Sequence, residues 1–230
     1  HAGQPPVERL GGLAPRGDPQ RAVAHLGETG EPLRVQKISI KPHASCRHTH
    51  APIDAALALR AQLPSDATIA AMRVSTYRAA LTLCDKPDPH TAPDAKFSLQ
   101  FCVAAALLHG KVGLTEFSDT ALADSAVRAL LPLVEVAIDP AREAAYPGCW
   151  SAAVEVTLTD GRTFGAMQDR PKGDPENPLS VPELEAKFRG LAAAGGVHSA
   201  QVERLLDWLR ALARPEPFDP LPLRELARSP

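Results

Sequence analysis

An α+β fold, with helices packed on an antiparallel sheet, is the class this sequence predicts, and three observations predict it. Two runs of β-type residues, Ala153–Leu158 and Thr163–Met167, flank Asp160-Gly161, a dipeptide that accepts positive φ at both turn positions and so marks a hairpin and an antiparallel pairing. The predicted strands do not alternate strictly with helices, which argues against a doubly wound parallel sheet. One segment, Asp94–His109, is apolar on nearly every side at helical spacing, and such a helix belongs inside a core.

The elements follow in order. Residues 1–33 repeat proline and glycine (Pro5-Pro6, Gly11-Gly12, Pro19, Gly30) without any sustained period, and read as a linker or the remnant of another domain. Val35–Ile40 alternates as a short strand. From Ala51 to Leu63 the period becomes helical, with Ile53, Ala56, Leu57, Arg60 and Ala61 on one stripe and Pro52 tolerated in the first turn. Leu63-Pro64-Ser65-Asp66 closes that helix, and Ile69–Leu83, carrying Val74, Thr76, Tyr77 and Leu81, reads as an extended strand. The prolines of Asp85–His90 make a loop. Pro93-Asp94 opens the apolar helix, which runs to His109 and stops at Gly110. Asp119–Leu131 is a helix with Pro132 just past its end, and Leu133–Ile138 is a strand leading to the hairpin. Pro171–Pro178 is a loop. Ser180 and Glu183 have capping-box spacing around Pro182, and open a helix that passes Leu191. Gly195-Gly196 separates it from a last amphipathic helix with Val202, Leu205, Leu206, Leu209 and Leu212, after which Pro215 breaks the pattern.

Composition limits the function. With 44% hydrophobic residues and a net charge of −2, the chain reads as an ordinary globular protein with no electrostatic footprint for nucleic acid. Its longest apolar run, Phe101–Leu108, is too short to cross a bilayer, so no membrane partner is predicted. No charged-then-apolar leader opens the sequence. The four cysteines, Cys46, Cys84, Cys102 and Cys149, are widely spaced and form no Cys-x-x-Cys pair, which fits a reducing cytoplasm. The first residue is His1 rather than methionine, as expected of a piece of a longer polypeptide.

Chemistry concentrates in Ile40–His50, where an amine, a thiol, a guanidinium and three imidazoles meet at the start of a predicted helix, a place that favours anions. Lys41 can neutralise a substrate carboxylate or donate a proton, and can equally be a solvated lysine at a strand end. Cys46, near Lys41, Arg47 and a helix N-terminus, is placed to be a thiolate that acts as base or nucleophile; the alternative is a small core residue. His43, Cys46, His48 and His50 can be read as metal ligands, but their spacing matches no standard zinc motif and no metal is predicted. Asp85, Lys86, Asp88 and His90 read as solvated surface. Gly161 belongs to the hairpin, and Gly173 lies in Pro-Lys-Gly-Asp-Pro without the spacing of a phosphate loop.

The run Ile40-Lys41-Pro42-His43-Ala44-Ser45-Cys46-Arg47-His48-Thr49-His50-Ala51-Pro52-Ile53-Asp54-Ala55-Ala56 resembles the start of the C-terminal domain of the MmgE/PrpD family. Asp94–Phe101, Asp160-Gly161-Arg162, Lys172–Ser180 and Lys187-Phe188 continue the resemblance in family order. It implies an enzyme with a large helical domain and a smaller α+β lid. Residues 34–170 would be the lid and 171–230 the helices returning to a helical domain whose main part lies outside this chain. His1-Ala2-Gly3-Gln4 resembles a segment near the end of that domain.

The resemblance further implies cofactor-independent chemistry beside a carboxylate, as in 2-methylcitrate dehydratase, cis-aconitate decarboxylase and iminodisuccinate epimerase. Lys41 and Cys46 would be catalytic, while Arg47, His48 and His50 would bind a small polycarboxylate substrate. The assembly would be a homodimer. Where the decarboxylase has an active-site tyrosine, this chain has Leu83 and Cys84, a departure that disfavours decarboxylation. The expected reaction is therefore dehydration of a hydroxy-polycarboxylate such as 2-methylcitrate, a step of propionate catabolism. The alternatives are a lid module silent without its helical partner domain, and an epimerase of a dicarboxylate.

Overall fold

The computed structural model describes residues 38–212. Its sheet contains β1 (Ile69–Thr76), β2 (Val134–Ile138), β3 (Ala152–Leu158) and β4 (Thr163–Gln168), in the order β2-β1-β3-β4. β1 with β3 and β3 with β4 are antiparallel, but β1 and β2 are parallel. The sheet is therefore mixed, which corrects the expectation of a purely antiparallel one. The physical reason is the connection: a long helical crossover separates Thr76 from Val134, and only such a crossover lets the chain return in the same direction.

The N-terminal strand expected at Val35–Ile40 falls partly outside the described residues. Ile38–Ile40 has irregular backbone, and the Ile40 amide donates to the Gly173 carbonyl at 2.8 Å. Helix α1 (His50–Arg60) forms as expected, but its buried face is Ile53, Ala55, Ala56 and Leu59, while Arg60 and Ala61 are exposed. It packs on β3, on β4 and on the central helix Leu99–His109. β1 ends at Thr76 rather than Leu83. Tyr77 keeps extended backbone and its carbonyl accepts from the Ala80 amide at 3.1 Å, so Arg78–Cys84 winds into helix α2. Its Ala79, Ala80, Leu81 and Leu83 are strong helix formers.

The helix predicted from Asp94 to His109 is broken by Lys96–Ser98 into α3 (Ala92–Ala95) and α4 (Leu99–His109). Ser98 makes the break. Its hydroxyl accepts from the Phe101 amide at 3.0 Å and donates to the Lys86 carbonyl at 2.6 Å, capping α4 and pinning the preceding loop. Every residue from Leu99 to Leu107 is buried, as the all-round apolar pattern predicts, and left-handed Gly110, at φ +69°, ends the helix. Replacing Ser98 with alanine is expected to remove about 1–2 kcal/mol of stability, because the residue caps a fully buried helix start. Urea unfolding of the variant checks this, and an unchanged midpoint would rule it out.

The segment expected as one helix, Asp119–Leu131, is α5 (Asp119–Leu122) and α6 (Ser125–Leu130), restarted by Asp124, whose carboxylate accepts from the Ala126 amide at 2.9 Å. Pro132 sits in a 3-10 turn, Leu131–Leu133. Helix α7 (Pro140–Ala145), absent from the sequence reading, is set by Asp139, which accepts from the amides of Ala141 and Arg142. The hairpin is present, but only Gly161 has positive φ, at +87°. Its amide donates to Leu158 O at 3.0 Å and the Leu158 amide donates to Arg162 O at 2.8 Å, a three-residue loop closed by a left-handed glycine.

Ser180 and Glu183 form the expected capping box at the start of α8 (Val181–Ala194). Helix α9 (Ser199–Ala211) joins it through Arg189–Glu203 at 2.7 Å and Arg210–Glu185 at 2.6 Å. α8 has no buried residue, and α9 buries only Val202 and Leu206. Among the described residues no helix is long and apolar enough to cross a membrane.

Candidate active site

The cationic segment is a bent strap held at several points before it becomes helical. The Ala44 amide donates to Val112 O at 3.1 Å and the Cys46 amide to Lys96 O at 2.8 Å. A 3-10 turn, Arg47–Thr49, then runs into α1. Two buried hydroxyls brace the bend: Ser45 and Thr49 share a hydrogen bond of 2.8 Å, and Thr49 also donates to Cys46 O at 2.9 Å. The bend brings together the two expected catalytic residues. Lys41 is exposed, with its ammonium donating to Ser45 O at 3.2 Å and lying close enough to favour a negative charge on Cys46. Cys46 is half-buried at the head of the turn.

The Cys46 thiol is pulled down to about 6, first by a hydrogen bond from the Cys84 thiol, then by the amides of His48 and Arg47 and the charge of Lys41, against the opposing effect of burial. Cys84, fully buried at the end of α2, is pushed up in return because it keeps its proton to donate. Cys102 and Tyr77 also face Cys46, and burial holds both in their neutral forms. Only the thiolate is nucleophilic, so alkylation of Cys46 by iodoacetamide is expected to reach half its plateau rate at about pH 6, falling below that pH and level above it. A midpoint in the ordinary thiol range of about 8.5 would contradict this assignment.

The three residues expected to touch substrate take different places. The Arg47 guanidinium pairs with the Asp174 carboxylate, donates to Lys172 O at 3.2 Å and meets His50 Nδ1 at 3.0 Å. Those contacts tie the strap to the 171–178 loop. His50 is fully buried, its Nε2 has no hydrogen-bond partner among the described residues, and desolvation with the nearby charges of His43 and Arg47 holds it neutral. His48 is half-buried. Its Nδ1 meets the Tyr77 hydroxyl at 2.9 Å and its ring stacks on Trp150 at 4.6 Å, while Tyr77 stacks on Tyr146 at 4.3 Å. Burial lowers the His48 pKa, so its neutral ring exchanges a hydrogen bond with the phenol.

His43 pairs with Asp54 at 2.8 Å, and the other Asp54 oxygen accepts from the Lys172 amide at 2.7 Å. The candidate metal ligands are thus dispersed onto separate partners, and among the described residues no three His, Cys, Asp or Glu side chains gather around one point.

A groove of about 960 Å³ lies beside this network, between α8 and the body, lined by Pro42, His43, Asp54, Lys111, Glu116 and Lys172 among others. Neither Lys41 nor Cys46 lines it, so this groove and the two candidate side chains are neighbours rather than one site. A smaller cavity of about 330 Å³ sits on the open face of the sheet, at Arg73, Glu155 and Met167, away from the strap.

Sequence reasoning missed Cys84, Tyr77, Trp150 and Asp174 as partners of the strap. Helical spacing of Tyr77, Ala80 and Cys84, the buried positions around α2, was the one local signal available for the first two. Trp150 and Asp174 reach the strap through tertiary packing alone.

The sequence pattern of the MmgE/PrpD C-terminal domain matches residues 43–211, beginning just after Lys41 and including Cys46, Arg47, His48 and His50. Human cis-aconitate decarboxylase is 28% identical over 165 residues, 70% of this chain and 34% of that protein. The 2-methylcitrate dehydratase of Salmonella typhimurium is 28% identical over 171 residues, 70% of this chain and 35% of that protein. That of Cupriavidus necator is 31% identical over 153 residues, 62% and 32% respectively. The chain spans about a third of the length of the curated relatives it matches.

Proposed function

This chain belongs to the MmgE/PrpD family, and from that premise we propose that it supplies the Lys41–Cys46 wall of a lyase active site that removes water from a hydroxy-polycarboxylate such as 2-methylcitrate. The observation that carries the reading is the placement, on one bend before α1, of an exposed ammonium close to a half-buried thiol whose pKa is lowered by the Cys84 thiol, the neighbouring amides and that ammonium. Dehydration beside a carboxylate needs a cation where negative charge gathers as the carbon acid loses its proton, a base to take that proton, and an acid for the departing hydroxyl. Lys41 binds the carboxylate next to the reacting carbon. Cys46 serves as the acid/base group beside it. The reaction in this reading uses no cofactor.

The residues around the pair then divide by what they can reach. His48, half-exposed and held on Trp150 and Tyr77, contacts substrate through the ring edge that Tyr77 leaves free. Arg47 and His50 act as positioning residues, because both are committed to contacts within the chain.

A second reading is that this chain is silent alone and works as a lid on a helical partner domain. The exposure of α8 favours it, with Val181 at 65% and Leu191 at 47% on a helix that buries nothing, as does the one-third coverage of the relatives. One assay separates the two: turnover of 2-methylcitrate by residues 1–230 alone and by the chain joined to the rest of its polypeptide. Activity in the short chain supports a self-sufficient enzyme. Activity only in the long one supports the lid, and activity in neither sinks the dehydratase assignment.

A further inference from the structure

We propose that Asp174 is a positioning residue, which holds Lys41 and Cys46 in place by gripping the strap on both sides of them. The role rests on the reading of these two residues as one wall of the active site. A single carboxylate oxygen, Asp174 Oδ1, accepts from the Ser39 hydroxyl at 2.6 Å and from the Arg47 guanidinium. Ser39 lies two residues before Lys41 and Arg47 directly follows Cys46, so both candidate side chains fall between the two anchors. The Ile40 amide adds a third tie, to Gly173 O at 2.8 Å.

The carboxylate is itself held firmly. The loop that carries it closes on its own backbone: the Gly173 amide donates to Asn177 O at 2.8 Å, the Asn177 amide to Asp174 O at 2.9 Å and the Asp174 amide to Pro171 O at 3.2 Å. The loop is also tied to α1, where Asp54 accepts from the Lys172 amide at 2.7 Å. The Arg47 and Asp174 side chains are only 15% and 17% exposed, so solvent screens their pairing little, unlike that of a surface salt bridge.

Lys41 needs such support. The one hydrogen bond of its ammonium goes to Ser45 O at 3.2 Å, within the strap, and so cannot fix it against the rest of the molecule. Ser39 has irregular backbone, and among the described residues Asp174 is the one carboxylate that meets either Ser39 or Arg47. A reacting group displaced by about 1 Å can lose about 100-fold in rate, so a carboxylate that touches neither Lys41 nor Cys46 can still govern turnover.

The test is a double-mutant cycle in the full-length protein, with Asp174→Asn, Lys41→Ala and the two combined, assayed on 2-methylcitrate. Asp174→Asn is expected to lower kcat by about 10- to 100-fold. Because it acts through Lys41, the loss in the double variant should fall short of the product of the single losses by about 10-fold or more. Losses that simply multiply would overturn the proposal, as would a raised KM at unchanged kcat. Ser39→Ala releases one anchor and leaves Arg47 paired, which keeps the test open if Asp174→Asn folds poorly. Its kcat should also fall, by a smaller factor, and an unchanged kcat would overturn the proposal. Amide hydrogen exchange supplies a readout independent of turnover: in Asp174→Asn the peptide over residues 39–47 should exchange about 10-fold faster, with that over Leu99–His109 unchanged. If the wild type leaves 2-methylcitrate intact, the dehydratase reading fails by itself. Faster exchange in the strap then still supports the grip of Asp174, and unchanged exchange refutes it.

Discussion

Lys41→Ala in the full-length protein is expected to lower turnover of 2-methylcitrate by about 100-fold or more, the usual scale for losing a positioned acid–base or charge-stabilising group. The expectation rests on where Lys41 sits. Its ammonium makes one hydrogen bond, to Ser45 O, on an exposed side chain, and it carries no ion pair to a carboxylate among the described residues. Its charge is therefore available to a substrate. For the same reason stability should change by no more than about 0.5 kcal/mol, as for surface substitutions generally. Lys41→Arg refines the result. If the role is charge alone, arginine restores kcat in good part and raises KM through its different shape; if Lys41 donates a proton, arginine leaves kcat low. Wild-type rates in Lys41→Ala would remove the residue from the site.

Gly173→Ala is expected to cost about 3 kcal/mol or more, since it combines a strained backbone with a steric clash that no rotamer relieves. At φ +88° the position is left-handed, and an added Cβ would stand 1.9 Å from the Ile40 carbonyl oxygen and 3.2 Å from Pro42 Cδ. The backbone atoms cannot step aside without breaking the bond from the Ile40 amide to Gly173 O. The damage reaches the site, because the same loop offers Asp174 to Arg47 and the Lys172 amide to Asp54. Gly161→Ala is the control: its φ is +87°, but nothing lies within 4 Å of the added carbon, so only the backbone cost of about 1 kcal/mol applies. Urea unfolding of both variants measures the difference. Equal losses would mean that the close approach of the 171–178 loop to the strap is not maintained in solution.

The elements legible in the sequence were those specified by local rules. The apolar pattern of α4, the Asp160-Gly161 turn and the Ser180–Glu183 capping box each carry their instruction within a few residues. Where a tertiary partner decided the outcome, local reading went wrong. Ser98 caps α4 partly because Lys86 O lies within reach of its hydroxyl, and nothing in Asp94–His109 announces that carbonyl. Tyr77–Cys84 mixes strand-like and helix-like residues, and its helix wins because Tyr77 and Cys84 bury beside the strap. The parallel pairing of β1 with β2 follows from the length of the crossover, a property of no single segment.

The candidate site divides along the same line. Lys41 and Cys46 stood out by residue type and by family resemblance, five residues apart in one strap. What tunes them lies far away in sequence: Cys84 on α2 lowers the Cys46 thiol, while Asp174 anchors Arg47 and Trp150 seats His48. The candidate pair was therefore readable as a cluster, and the groups that hold it in place were not.

In the proposed function this strap forms part of a site that removes water from a hydroxy-polycarboxylate. Its most direct test is proton NMR of 2-methylcitrate incubated in D2O with the full-length protein, wild type and Lys41→Ala. An alkene product is expected with the wild type and little or none with the variant. Deuterium entering the substrate without any alkene would show proton exchange in place of dehydration and contradict the claim.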